Sequence, residues 1–352
     1  MADGAPQPAT AIRPDWDGAP RARCFGAVDR ATFEAEVAAV DEPAVLRGQY
    51  AHWPLVAAGR ESPAALVRHL LAHDTGREVE AFAGDASMGG RFFYSEDLRG
   101  FNFERLRLPL ARFFERLEKA GEDGEYLYAG AVRIPDVVPG LQQELDPALL
   151  DPGTDRLVSL WLGNRTRTAA HFDLPQNLAC PVAGRRRFIL LPIDQLPNLY
   201  VGPVDFTLAG QPISLVDFLA PDFERHPRFR EALAHARVAD LEPGDALYVP
   251  SMWFHHVESL DPFGAMVNFW WREAPDYMFT PMITMIHALL SLPELPERER
   301  RAWRVMFDHY IFRTGGEPMP HVPEAARGVF GEMTPERVDR LRRYLARSLL
   351  GG

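Results

Sequence analysis

Apolar positions along this chain change their spacing more than once. In DRATFEAEVAA, which opens on Asp29, and in SPAALVRHLLAHD, which opens on Ser62, they recur at helical spacing behind a capping residue. Pro63 sits at the first helical position of the second segment, so two helices are predicted, with PAVLRG between them as a short strand ended by glycine. From Val79 to Phe103, EVEAFAG and GGRFFYSEDLRGFNF gather aromatic and β-branched residues, predicting strands that cover one side of the main fold. LPLARFFERLEKAGE then returns to helical spacing. Between Glu125 and Trp270 come short runs: EYLYAGAV, LVSLWLG, AHFDLPQNLACPVAG, RRFILLP, DALYVP, FHHVESL and AMVNFWW. Turn signals at Asn164, Gly184, Pro192, Pro243-Gly244 and Asp261-Pro262 separate them, which predicts an antiparallel sandwich or barrel.

After Pro275 the helical period returns in TPMITMIHALLSL, PERERRAWRVMFDHYIF and TPERVDRLRRYLARSLL. The last of these carries Val338, Leu341, Tyr344, Leu345 and Leu349 on one stripe and arginines elsewhere, a stripe suited either to packing back onto its own barrel or to a homodimer through the C-terminal helices. The chain therefore divides into a leader expected to be flexible over residues 1–22, a mainly β domain over 23–275 and a helical region over 276–352.

Composition narrows the classes. The 352 residues, 47% of them apolar and 25% charged, are ordinary for a globular protein with a full core. A net charge of -11 argues against a broad nucleic-acid surface, although Arg185-Arg186-Arg187 offers local positive charge for a small anion. Cys24 and Cys180 form neither a disulfide framework nor a Cys-x-x-Cys pair, which fits a reducing cytoplasm. No segment has the pattern of a signal peptide or a membrane span.

The candidate chemistry starts at HFDLPQN, residues 171 to 177. With Asp and Glu at 49 positions, 11 histidines produce about one or two His-x-acid triplets by chance, and the chain has two, at His171 and His256, so the triplet alone decides little. On a continuous strand His171, Asp173 and Asn177 would share one face, with the first two about 7 Å apart at Cα. A third ligand would complete a two-histidine, one-carboxylate set suited to non-haem Fe(II). SMWFHHVESL supplies His255 and His256, of which strand parity lets only one face that interior without choosing between them. His69 and His73, four apart on a predicted helix, have metal-binding spacing, but no third ligand lies near them in sequence and a solvated face is expected.

HFDLPQNLACPVAGRRRFILLP, PGDALYVPSMWFHHVESL and MVNFWW, in that order, resemble the JmjC-type cupin-like hydroxylases, in particular the branch that includes the asparaginyl hydroxylase factor inhibiting HIF. PAVLRGQYAHWP resembles the lead-in of that family. The resemblance covers most of residues 40 to 275. It implies a double-stranded β-helix (jelly-roll, cupin) with flanking helices, holding Fe(II) and 2-oxoglutarate, consuming O2 and forming succinate and CO2. By motif position it implies His171, Asp173 and His255 as metal ligands, His256 as a supporting residue, and Thr168, Asn177, Asn268 and Tyr126 as cosubstrate contacts. Where the family usually has lysine two residues after the glycine equivalent to Gly184, this chain has Arg186, which can pair with a carboxylate bidentately but is not interchangeable with an ammonium. Trp253, Trp270 and Trp271 are candidate cavity walls, Arg165 and Arg167 candidate rim residues, and the loops over 199–235 the expected seat of specificity. The expected substrate is a protein or peptide side chain, with a small molecule as the other class. The competing readings are a cupin metalloenzyme that does not use 2-oxoglutarate and a non-catalytic peptide-binding module.

Overall fold

A computed structural model describes residues 14–350. The chain divides into two compact units, with the boundary between Arg272 and Glu273. In the first unit the strands are β1 (Arg23–Phe25), β2 (Ala44–Leu46), β3 (Glu78–Gly84), β4 (Arg91–Phe92), β5 (Glu104–Pro109), β6 (Tyr126–Arg133) and β7 (Arg156–Gly163). They continue with β8 (Arg167–His171), β9 (Gln176–Ala183), β10 (Arg186–Leu191), β11 (Arg237–Leu241), β12 (Ala246–Val249), β13 (Phe254–Ser259) and β14 (Gly264–Trp271). The large sheet has the order β1-β2-β12-β9-β14-β7-β6-β3-β5 and the small sheet β11-β10-β13-β8-β4. Pairing is antiparallel apart from β1 with β2 and β4 with β8, so the unit is a mainly β jelly-roll of two mixed sheets and not a closed barrel.

Period-two alternation assigns the two faces of the large sheet. Leu178, Cys180 and Val182 of β9 and Val267, Phe269 and Trp271 of β14 join an apolar core with Leu55, Leu66, Leu70 and Phe113, which come from the helices Pro54–Glu61, Pro63–Leu71 and Leu110–Asp123. The intervening residues face the small sheet: Ala179 and Met266 pack with Leu247 and Val249 of β12 against Phe188 and Leu190 of β10 and Val257 of β13. The result is three layers, helices, large sheet and small sheet, with two interiors.

Two expectations change here. Trp16 is buried and its indole N–H donates to the Phe218 carbonyl (3.1 Å), while Arg21 and Asp17 pair with Asp240 and Arg187, so among the described residues the chain packs well before Cys24. Residues 1–13 of the expected leader lie outside the described residues. HFDLPQN is not one strand: β8 ends at His171 in the small sheet and β9 begins at Gln176 in the large one. Phe172–Pro175 is the corner between them. Leu174-Pro175 breaks the ladder, and a run of alternating polarity had the same appearance as a strand.

The second unit has the helices Pro281–Leu289, Glu297–Tyr310 and Pro335–Leu349, with Thr280 and Thr334 as capping residues. Tyr310 stacks on Phe330, and Arg342 lies over Phe279. Along the last helix Val338 and Leu341 are half-buried, whereas Tyr344, Leu345 and Leu349 are exposed. Among the described residues no helix is long and apolar enough to cross a membrane.

Candidate active site

The corner and two strand ends bring three ligand-type side chains together. His255 faces the interior because it shares parity with Val257, which lies in the core between the sheets. On β8 the pairing runs His255 opposite His171 and Val257 opposite Thr168, a bulge of one residue that turns both Thr168 and His171 toward that interior although they are three apart. Asp173 then reaches in from the corner, its carboxylate Oδ2 3.5 Å from His255 Nε2. The corner is tied down by the β12–β13 turn: Met252 N–H donates to Asp173 C=O (2.9 Å) and the Ser251 hydroxyl to Leu174 C=O (2.7 Å).

The electrostatics suit ligation. His171 Nδ1 lies 2.9 Å from the Ala169 carbonyl and His255 Nδ1 3.0 Å from the Trp253 carbonyl. A carbonyl only accepts, so each Nδ1 carries the proton and each Nε2 presents a lone pair to the site. Burial, reinforced by the neighbouring His255, pushes His171 down to about 4, so the ring is neutral at physiological pH. Burial alone would raise Asp173, but the adjacent His255 imidazole, 3.5 Å away, with a further contribution from His171, holds the carboxyl below its ordinary value. His171, Asp173 and His255 each offer a ligand atom within 4.8 Å of the others, the grouping that can hold a metal ion.

Beside this cluster lies a buried cation. Arg186 shares the inward parity of Phe188 and Leu190, is 3% exposed, and has no hydrogen-bond partner for Nε or Nη2 among the described residues. Burial lowers its pKa to about 10, offset in part by Tyr128, and the guanidinium stays charged. The buried Tyr128 hydroxyl is pushed up to about 12 by burial against the pull of Arg186 and a hydrogen bond with Thr168, and it also feels Asp173. Thr168, Tyr128, Arg186 and the three ligand-type residues therefore share one neighbourhood. From the opposite sheet, Asn268 accepts from the Trp161 indole (2.7 Å) and lies 3.5 Å from Asn177 Oδ1, while the inward Ser159 hydroxyl has no partner among the described residues. Orphaned buried polar groups cost about 1 to 3 kcal/mol each, and a small dicarboxylate is the kind of molecule that would satisfy this set. The residues present fit both a metal ion and such an acid.

Other expected residues fall differently. Tyr126 lies two residues toward the start of β6, with its ring against Gly90, where an added Cβ would be 3.1 Å from it. Tyr128, not singled out from sequence, is the tyrosine beside Thr168; both share strand parity, so alternation carried no signal to separate them. Trp271 belongs to the core under the helices, Trp253 bonds to the Asp41 carbonyl and packs against the inter-sheet cluster, and Trp270, edge-on to Trp161, has a buried indole N–H with no partner among the described residues. Arg167 is anchored to Gly89 C=O and Asp217, while Arg165 is exposed. His256 points away from the site, stacks on Phe218 and approaches Glu258, a structural position beneath the 199–235 segment. That segment crosses β8: Ser214 N–H donates to Ala170 C=O (2.7 Å) and Ile213 pairs with His171.

A jelly-roll with an interior His-Asp-His grouping at a strand end is a cupin-type arrangement. Residues 30–277 match the family described as Cupin-like domain, and the chain belongs to that family of JmjC-type proteins, which are typically iron and 2-oxoglutarate oxygenases. It is 32% identical over 135 residues to "Lysine-specific demethylase JMJ31" of Arabidopsis thaliana (38% of this chain, 24% of the relative). It is 33% identical over 150 residues to "HSPB1-associated protein 1" of Homo sapiens (41% and 30%). To "tRNA wybutosine-synthesizing protein 5" of Gallus gallus it is 32% identical over 145 residues (37% and 42%). The match thus spans less than half the length of each of these relatives.

Proposed function

We propose that this protein is an Fe(II)- and 2-oxoglutarate-dependent oxygenase that hydroxylates a side chain of a protein or peptide. The observation that carries the reading is the pairing of His171, Asp173 and His255 with the uncompensated, buried Arg186 a few residues away in space. His171 and His255 would bind iron through Nε2 and Asp173 through its carboxylate, leaving positions open for other ligands. Arg186 would hold the distal carboxylate of 2-oxoglutarate, with Thr168 and Tyr128 beside it; its fork accepts a carboxylate bidentately where an ammonium would make a point contact. Asn177 and Asn268 would face the same acid from the large sheet. Iron bound there supplies the oxidising chemistry: O2 and 2-oxoglutarate are consumed, one oxygen atom enters the substrate C–H bond, the other enters succinate, and CO2 leaves. The apolar residues between the sheets exclude water from that chemistry.

A peptide substrate is favoured by the chain's acidic balance, net charge -11, over a phosphate backbone; a relative named for tRNA modification makes RNA the contrasting outcome. The exposed Tyr344, Leu345 and Leu349 support a homodimer through the last helix, and the placement in the cytoplasm rests on the cysteine usage alone. The test is turnover. Protein reconstituted with Fe(II) without oxygen, then given O2, 2-oxoglutarate and a peptide library, should release succinate and add 16 Da to a peptide (about one oxygen atom). The absence of both succinate release and 2-oxoglutarate binding would overturn the reading, and product only with RNA would move the substrate class.

A further inference from the structure

A second group of ligand-type residues lies on the other side of the large sheet. His69 and His73 occupy the C-terminal end of the helix Pro63–Leu71 and the turn after it, four residues apart, with ring centroids 5.6 Å from each other. Between them comes Glu144, 75 residues on from His69: its Oε2 is 2.7 Å from His69 Nε2 and its Oε1 3.2 Å from His73 Nε2. The expectation of a merely solvated face is therefore corrected, because the missing third ligand is supplied by a distant segment. All three side chains are three-quarters buried, and their ligand atoms lie within 4.8 Å of one another.

The positions of these groups are built by the core, not by the charges. Leu66 and Leu70 fix the helix, and Leu141 and Leu145, on either side of Glu144, are buried in the same cluster. Thr75 N–H donates to Val137 C=O and ties the two segments together. Gly140 supplies a separate observation: a Cβ there would stand 2.1 Å from His73 Nδ1, so the imidazole occupies space that only a glycine leaves open. Among the described ion pairs Glu144 meets these two imidazoles and no arginine or lysine.

We infer that His69, His73 and Glu144 form a second metal site, one that takes a divalent transition ion of the Zn2+ type and clips the helix Pro63–Leu71 to the segment around Leu141. Two imidazoles and a carboxylate, with no thiolate, are a donor set for Zn2+ with one position left open. A dication would be held by Glu144 and by the Nε2 lone pairs of both imidazoles together, replacing the two Nε2–H protons that otherwise bond to the two carboxylate oxygens. The site is separate from the interior cluster, whose residues lie between the two sheets.

The experiment counts metal. Full-length protein stripped of metal and dialysed against Zn2+ should bind two ions per chain; Glu144→Gln, a change of shape too small to disturb the fold, should bind one, and so should His73→Ala. In a His255→Ala background, which removes the interior cluster, Zn2+ should still raise the melting temperature, and Glu144→Gln should weaken that binding at least tenfold. Co2+ in the same background should give the visible absorption of a tetrahedral site. Equal Zn2+ stoichiometry in wild type and Glu144→Gln would overturn the proposal, as would a folded His255→Ala protein, checked by circular dichroism, that binds no Zn2+. Neither result bears on the interior iron site, because each is read without turnover.

Discussion

The two faces of the large sheet obey different rules. Toward the helices, β7, β9 and β14 present Leu160, Leu162, Leu178, Val267 and Phe269, all fully buried in an apolar cluster. Toward the small sheet the same strands present Ser159, Asn177 and Asn268, and across from them stand Arg186 and His255. One face is packed for stability. The other retains Ser159 Oγ and Arg186 Nε and Nη2 without a partner among the described residues, at a cost in stability that a bound ligand would offset.

Substitutions on the two faces should therefore separate folding from binding. Phe269→Ala, on the helix side, should lower unfolding free energy by about 3 to 5 kcal/mol in urea melts and leave the iron affinity of the folded fraction unchanged. Asp173→Ala should do the reverse: losing a ligand should cost more than the roughly hundredfold that outer-shell changes cost in metal affinity, read by Fe(II) competition, with little change in the melt. Arg186→Met should weaken 2-oxoglutarate by about 2 kcal/mol or more in anaerobic calorimetry, roughly thirtyfold, while the ligand-free protein melts no lower than wild type, since a buried unpaired cation has been removed. Trp161→Phe should cost only about 1 kcal/mol of stability through the lost bond to Asn268. If Arg186→Met destabilised the free protein as strongly as Phe269→Ala, the contrast between the faces would fail.

How much of this was legible in the sequence follows from how local each signal is. Caps and spacing marked the helices at Pro63–Leu71, Leu110–Asp123 and the three after Pro275, because helix signals lie within a few residues. The segment from Asp29 formed only short irregular turns, Arg30–Thr32, Phe33–Val37 and Ala38–Val40, and the helix Pro54–Glu61 was not anticipated. The motif at His171 is visible in the sequence, but not the way it works: parity on one strand predicts a shared face for His171 and Asp173, whereas a bulge and a corner between sheets bring them together. Which of His255 and His256 faces inward was open to parity and was decided by Val257 joining the core. Glu144 was invisible because no local pattern links residues 75 positions apart. The resemblance located Arg186 but carried no information on its lack of a counter-charge, which only the packing reveals.

The central claim is that Arg186 and the His171, Asp173, His255 cluster act on one bound acid. Its most direct measurement is the visible spectrum of Fe(II)-loaded protein titrated with 2-oxoglutarate in the absence of oxygen, in wild type and Arg186→Met. A saturable new absorption band in the wild type, shifted to roughly thirtyfold higher 2-oxoglutarate in the variant, is the predicted result. No band in the wild type, or identical titrations in the two proteins, would contradict it.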